Sequence, residues 1–284
     1  MKRAFTLIEL VVAVALLAMM LGFASVIFRV SIEAYRTAGA NTEIMQKLRA
    51  VTDQLNADFK GQIWNPPGKV RFGFGNSDID GKNVEVRSDS IAFFANGDFQ
   101  STRQYDGKTV VGNVACIFYG QADTSTNKPK EKILVRRQTI LTSDTSLTND
   151  FDLDDLAEYC NEDEKSSLAE LIADPSFDAN SLMGRPDWDS NDLGEDDLVM
   201  YMADGVDDFT IQYVGTDYDE FGNPVEEFDF NQWRPENKNI KSDSGKWKDK
   251  SFAPLAFKFT FMLYDSKGIF ENGRRFTHIV YLGD

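Results

Sequence analysis

Histidine is almost missing from this 284-residue chain, which has only His278. One imidazole cannot supply a His-based catalytic triad or a histidine-rich zinc cluster. Cysteine is scarce as well: Cys116 and Cys160 leave room for a single disulfide if the body is exported, and otherwise read as two buried thiols. Positive charge is outweighed, with 30 Lys and Arg against 46 Asp and Glu and a net charge of −16. That balance excludes a nucleic-acid surface, because phosphate binding needs clustered basic residues. It also argues against the body resting on anionic lipid. No glycine-rich phosphate loop is present. Without a catalytic set, the chain does not read as an enzyme.

Phenylalanine is plentiful, at 22 residues within a 42% hydrophobic composition, which suits a β-rich core. The other conspicuous feature is at the N-terminal end. Lys2 and Arg3 are followed by Ala4, Phe5 and a carboxylate, Glu9. Residues 10–28 are then an almost unbroken apolar run. About 20 apolar residues are needed to cross a bilayer as a helix, so this run is long enough. Basic residues ahead of it place the N-terminus in the cytoplasm and the remainder outside.

A secretory signal peptide shares the basic start, but its apolar stretch is shorter and is cut on the far side. A plain membrane anchor fits the length and gives no reason for Glu9, since a carboxylate beside lipid costs free energy on insertion. The stretch Arg3-Ala4-Phe5-Thr6-Leu7-Ile8-Glu9 resembles the class III signal of type IV pilins and type II secretion pseudopilins. The resemblance implies a cut by prepilin peptidase between Ala4 and Phe5 and methylation of Phe5. It also implies that Glu9 pairs with the positive N-terminus of a neighbouring subunit. The residue before the cut is usually Gly in that family, and here it is Ala4, the smallest alternative.

Beyond the apolar run, Ile44, Leu48, Val51, Leu55 and Phe59 recur at helical spacing, with Lys47, Arg49, Asp53, Gln54 and Asp58 on other faces. Gly61 and Asn65-Pro66-Pro67-Gly68 stop the helix. The expected fold is α+β. Residues 1–4 form a leader. Residues 5–60 form one helix about 80 Å long, transmembrane over about 8–28. Residues 61–284 form an antiparallel β-sheet body. Strands are predicted over 70–74, 84–87, 90–95, 114–119, 132–137, 206–214, 257–264 and 276–282. On the last, Phe276, His278, Val280 and Leu282 share one side, which gives His278 a structural role. An acidic insertion over about 142–197 carries Leu153, Leu156, Ala157, Cys160, Leu168, Leu171 and Ile172 at spacings that predict one or two short helices.

Two loops start like calcium sites. Asn76-Ser77-Asp78-Ile79-Asp80-Gly81 fits the first half of a Ca2+ loop through Asp78 and Asp80, but Arg87 stands where the closing Glu belongs. The loop at Asp217-Tyr218-Asp219-Glu220-Phe221-Gly222 offers Asp217 and Asp219 and also departs downstream. Solvated turns are the simpler reading of both loops, and Ca2+ is the alternative.

A second resemblance concerns the body. The segment from Gln46 to Phe59, Leu134-Val135-Arg136-Arg137, Gly205 to Tyr213, Trp233 and Ala253 to Lys258 are similar to J-type minor pseudopilins and PilW-like minor pilins. That implies a non-enzymatic subunit in a bacterial inner membrane, single-pass, with its body in the periplasm. Such a subunit would initiate or cap a short filament with other minor and major subunits, and perform secretion of cargo or pilus assembly. The rival from a different class is a membrane-anchored module that binds a ligand through its acidic insertion.

Overall fold

The computed structural model describes residues 7–62, 73–76, 89–105, 107–124, 132–142, 159–161, 187–188, 201–218, 224–228, 234–235 and 252–282. The chain folds as α+β. Helix α1, Leu7–Lys60, is one continuous element of 54 residues, about 80 Å long at 1.5 Å per residue. It contains no proline, and it stops at Gly61, whose N–H donates to the Asp58 carbonyl at 3.2 Å.

Among the described residues thirteen strands follow. They are β1 (Gly73–Asn76), β2 (Asp89–Tyr105), β3 (Lys108–Gln121), β4 (Asp123–Thr124), β5 (Ile133–Thr142), β6 (Tyr159–Asn161) and β7 (Asp187–Trp188). Then come β8 (Tyr201–Asp204), β9 (Val206–Tyr218), β10 (Pro224–Phe228), β11 (Arg234–Pro235), β12 (Phe252–Leu263) and β13 (Arg274–Tyr281). The first sheet has the order β1-β2-β3-β5-β6, with β8 also paired to β5. The second has the order β10-β9-β12-β13, with β11 also paired to β9. Both are antiparallel except for the β5–β6 pair.

A third sheet is the parallel pair β4–β7, and the two large sheets share one core with α1. Ile44, Val51, Leu55 and Phe59 of the helix join Phe93, Ile117 and Leu134 of the first sheet and Phe209, Phe257, Phe259 and Phe261 of the second. Phe59 touches both: its ring stacks on Phe93 at 4.2 Å and lies 5.3 Å from Phe257 and 5.6 Å from Phe259. The chain passes from one sheet to the other at Gly205, between β8 and β9. Gly205 has φ of 62°, and a Cβ there would lie 2.9 Å from the Tyr264 carbonyl oxygen. Glycine alone adopts that conformation in that space at little cost.

Several expected elements shift. The predicted strand 114–119 is the buried part of β3. Its partner β2 runs on to Tyr105, and Gly107, at φ of 76°, helps close the hairpin. The strand expected at 132–137 continues to Thr142. Of the expected strand 70–74, only Gly73 and Phe74 are described, as part of β1. The strand at 84–87 and Trp233 lie outside the described residues. Cys160 belongs to β6, which pairs parallel with the end of β5, so the expected helix does not extend through it. Leu153, Leu156, Ala157, Leu168, Leu171 and Ile172 lie outside the described residues.

Candidate functional site

The helix α1 has two environments. Among the described residues, nothing in the body packs on it from Leu7 to Gly39: Leu7 is 78% exposed, Phe28 68% and Tyr35 82%. Its apolar window is long enough to cross a membrane, and none of it is buried in the protein. Glu9 falls in the first helical turn, where the helix dipole favours a carboxylate. Ala4 and Phe5 lie outside the described residues. From Ala40 onward the same helix becomes part of the core.

Side chains that hold the second half begin at the point where the helix enters the body. Arg274 Nη1 donates to Asn41 Oδ1 at 2.5 Å. Ser266 donates its N–H and its hydroxyl to the Glu43 carboxylate at 2.8 and 3.0 Å. Lys47 Nζ reaches Asp204 at 2.7 Å, Glu43 at 3.0 Å and the Tyr264 carbonyl at 3.1 Å. Burial works to raise the Glu43 pKa, but the Lys47 and Ser266 hydrogen bonds outweigh it and hold the carboxyl below its ordinary range. Burial likewise opposes the charge on Lys47, and the two carboxylates outweigh it, so its pKa rises.

The far end of α1 carries a buried cluster that the apolar periodicity missed. Asp58, expected on a polar face, is 6% exposed. Arg136 of β5 grips its carboxylate with two hydrogen bonds, Nε to Oδ2 at 2.6 Å and Nη2 to Oδ1 at 2.9 Å. The Tyr119 hydroxyl also donates to it, and Gln54 Nε2 does so at 3.0 Å. Burial first and the Asp58 charge second push the Tyr119 phenol well above its ordinary pKa. Positions 51, 55 and 58 continue one helical stripe, which turns the Asp58 carboxylate inward, but the residue type alone reads as solvent-facing.

His278, on β13, faces the helix and its Nε2 lies 3.0 Å from Asn56 Oδ1. Burial lowers its pKa, with Asp53 acting the other way. Its neighbours make it part of the packing, as the alternating strand implied.

The two cysteines are not bridged. Cys116 is a buried free thiol. It lies opposite Thr139 of β5, whereas Cys160 lies opposite Leu141 on the other side of the same strand. An intervening strand separates them by about 9–10 Å across the sheet, and a disulfide needs Cα atoms within about 7 Å. Burial pushes the Cys116 thiol up to about 12.

Of the proposed calcium residues, Asp78, Asp80 and Asp219 lie outside the described residues. Asp217 is inside β9, its backbone paired with Glu226 of β10 and Phe252 of β12, so the loop read from sequence starts within a strand. Among the described residues no three His, Cys, Asp or Glu side chains converge to hold a metal ion.

No curated protein and no solved structure matches the chain. A family model for the prokaryotic N-terminal methylation motif matches residues 1–25. The chain thus carries a type IV pilin-like prepilin signal that runs directly into an apolar, unpacked helix, the arrangement of a pilin- or pseudopilin-type protein with a single membrane anchor.

Proposed function

We propose that this chain is a minor pseudopilin or minor pilin, of the J-type or PilW-like kind, that initiates or caps a periplasmic filament serving type II secretion or type IV pilus assembly. One observation carries the reading. A methylation motif at residues 1–25 opens a helix whose segment from Leu7 to Gly39 has no surface of its own body to pack against. In a single anchor that surface meets only lipid and water. In a filament it meets the equivalent helices of neighbouring subunits, and Glu9 fixes their register by pairing with a neighbour's methylated N-terminus.

The large irregular body, bearing an acidic insertion, suits an end position better than a repeated one. A shaft subunit must present matching surfaces above and below itself, whereas an end subunit needs only one. The subunit turns over no substrate. Its work is association: prepilin peptidase removes residues 1–4, and the exposed helix then enters the assembly.

Glu9→Ala tests this reading. Mass spectrometry of the N-terminus should show cleavage before Phe5 in both forms, with the body still anchored. Co-purification with the other minor subunits, and secretion or pilus formation, should fail in the variant. If assembly and secretion proceed unchanged with Glu9→Ala, the filament role falls and the membrane-anchored binding module takes its place.

A further inference from the structure

We propose that the turn between β12 and β13 is a membrane-surface contact, resting on the anionic headgroups of the same bilayer that α1 crosses. The proposal needs only that α1 spans the membrane, so it stands independently of filament assembly.

Direction comes from the contacts along α1. Arg274, at the start of β13, meets Asn41, and Ser266, just after β12, meets Glu43. Farther along the same strand, His278 meets Asn56. The β12–β13 turn therefore lies at the membrane-facing end of the body, and Tyr281, 66% exposed, lies toward the opposite end.

Distance fits as well. The apolar run of α1 ends at Phe28, and Arg29 stands at the headgroup level. From Phe28 to Asn41 is thirteen residues, about 20 Å along the helix. The headgroup layer covers about 5–8 Å of that. What is left, about 12–15 Å before counting the reach of the turn itself, is within the Debye length at low salt, about 30 Å at 0.01 M.

The turn is built rigidly. Asp265, fully buried, accepts the N–H groups of Ile269 and Phe270 on its two carboxylate oxygens at 2.8 and 2.9 Å. Gly268 N–H closes onto the Asp265 carbonyl at 3.1 Å. This presents Ile269, a large apolar side chain left 37% exposed, beside the exposed Lys267 and Arg274. Arg274 is held over the Phe270 ring at 4.2 Å. On the helix below, Arg29 and Arg36 share a face. A basic rim around an exposed apolar side chain fits an anionic lipid surface.

The chain's net charge of −16 looks opposed to such a contact, but it is unevenly distributed. Residues 142–197 contain 18 of the 46 acidic residues and 2 of the 30 basic ones, so that segment alone carries −16. The rest of the chain balances at 28 of each sign. Around the turn, Lys267, Arg274, Arg29 and Arg36 face Glu271 and Glu33, while Asp265 is buried in the turn and Glu43 is paired with Lys47.

The test uses the full chain inserted by its own helix into bilayers of phosphatidylcholine alone or mixed with phosphatidylglycerol. A nitroxide is placed at Ile269→Cys or, as a distal control, at Tyr281→Cys. The background is Cys160→Ser, and buried Cys116 is left in place. Relaxation by oxygen, which concentrates in lipid, is compared with relaxation by a water-soluble nickel chelate. At low salt in the anionic bilayer, position 269 should favour oxygen over nickel several-fold relative to position 281. That preference should shrink in the neutral bilayer, in high salt and with Lys267→Glu. A label at 269 as aqueous as the one at 281 in the anionic bilayer would overturn the proposal. So would a preference indifferent to lipid charge, salt and Lys267→Glu.

Discussion

At the scale of single residues, the buried polar groups are the most consequential. Asp58 and Arg136 form a bidentate pair inside the core, and removing one partner leaves the other charge buried without compensation. Asp58→Ala is therefore expected to lower the unfolding free energy by about 3–5 kcal/mol. Asp58→Leu combined with Arg136→Met should recover most of that loss, and urea titrations in detergent on the single and double variants measure both. The stripe of Ile44, Val51, Leu55 and Phe59 was legible in the sequence because apolar side chains reveal a helical face directly. Asp58 was not, since a carboxylate reads as solvent-facing until its partner, 78 residues away on β5, is known. Cys116 carries the pH prediction. Burial raises its folded pKa to about 12 from an ordinary value near 9. Below about pH 9 both states keep the thiol protonated, and its contribution is fully present. Above that the unfolded thiol ionises while the folded one does not, so stability falls as pH rises, by about 1.4 kcal/mol per unit. Between about pH 8 and about pH 10 the wild type should lose about 1.4 kcal/mol more than Cys116→Ala. Equal losses in the two proteins would contradict this assignment.

At the scale of elements, the end of α1 is the joint of the body. Phe59 is where helix and both sheets meet, with Phe93 on one side and Phe257 and Phe259 on the other. Phe59→Ala opens a cavity that three elements would have to close together. Its expected cost is about 3–5 kcal/mol, at the upper end for a large-to-small change. Leu48→Ala, at a partly buried site on the same helix, should cost clearly less, and thermal unfolding of the two variants compares them. The strands of the second sheet were readable because Phe257, Phe259 and Phe261 alternate with half-exposed Lys258, Thr260 and Met262. The outer half of β2 was not, because Gln100, Ser101, Thr102 and Gln104 present no apolar side to count. Nor could spacing reveal that the strand run divides into two sheets at Gly205. That division depends on a close approach of Tyr264, 59 residues further on.

At the scale of the whole molecule, α1 joins two parts that obey different solvents. Residues 40–59 contribute to a water-excluding core in which Ile44, Val51 and Leu55 are fully buried. Residues 7–39 contribute no contact to that core, so their sequence is free to answer to lipid and to other chains. The motif that named this half, Arg3 through Glu9, is local and needed no tertiary knowledge to find. The separation has a measurable consequence. Replacing residues 1–28 by an unrelated single-pass anchor of equal length should leave the body's denaturant midpoint and m value unchanged, because no buried surface is lost. The same chimera should insert with the body outside if the basic residues are kept ahead of the apolar run. It should nevertheless fail to co-purify with partner subunits, since the helix surface and Glu9 are gone. A drop in the midpoint would mean that the first half of α1 supports the body after all. Intact assembly would mean that the body alone selects its neighbours, and the weight placed on Glu9 would pass to the sheets.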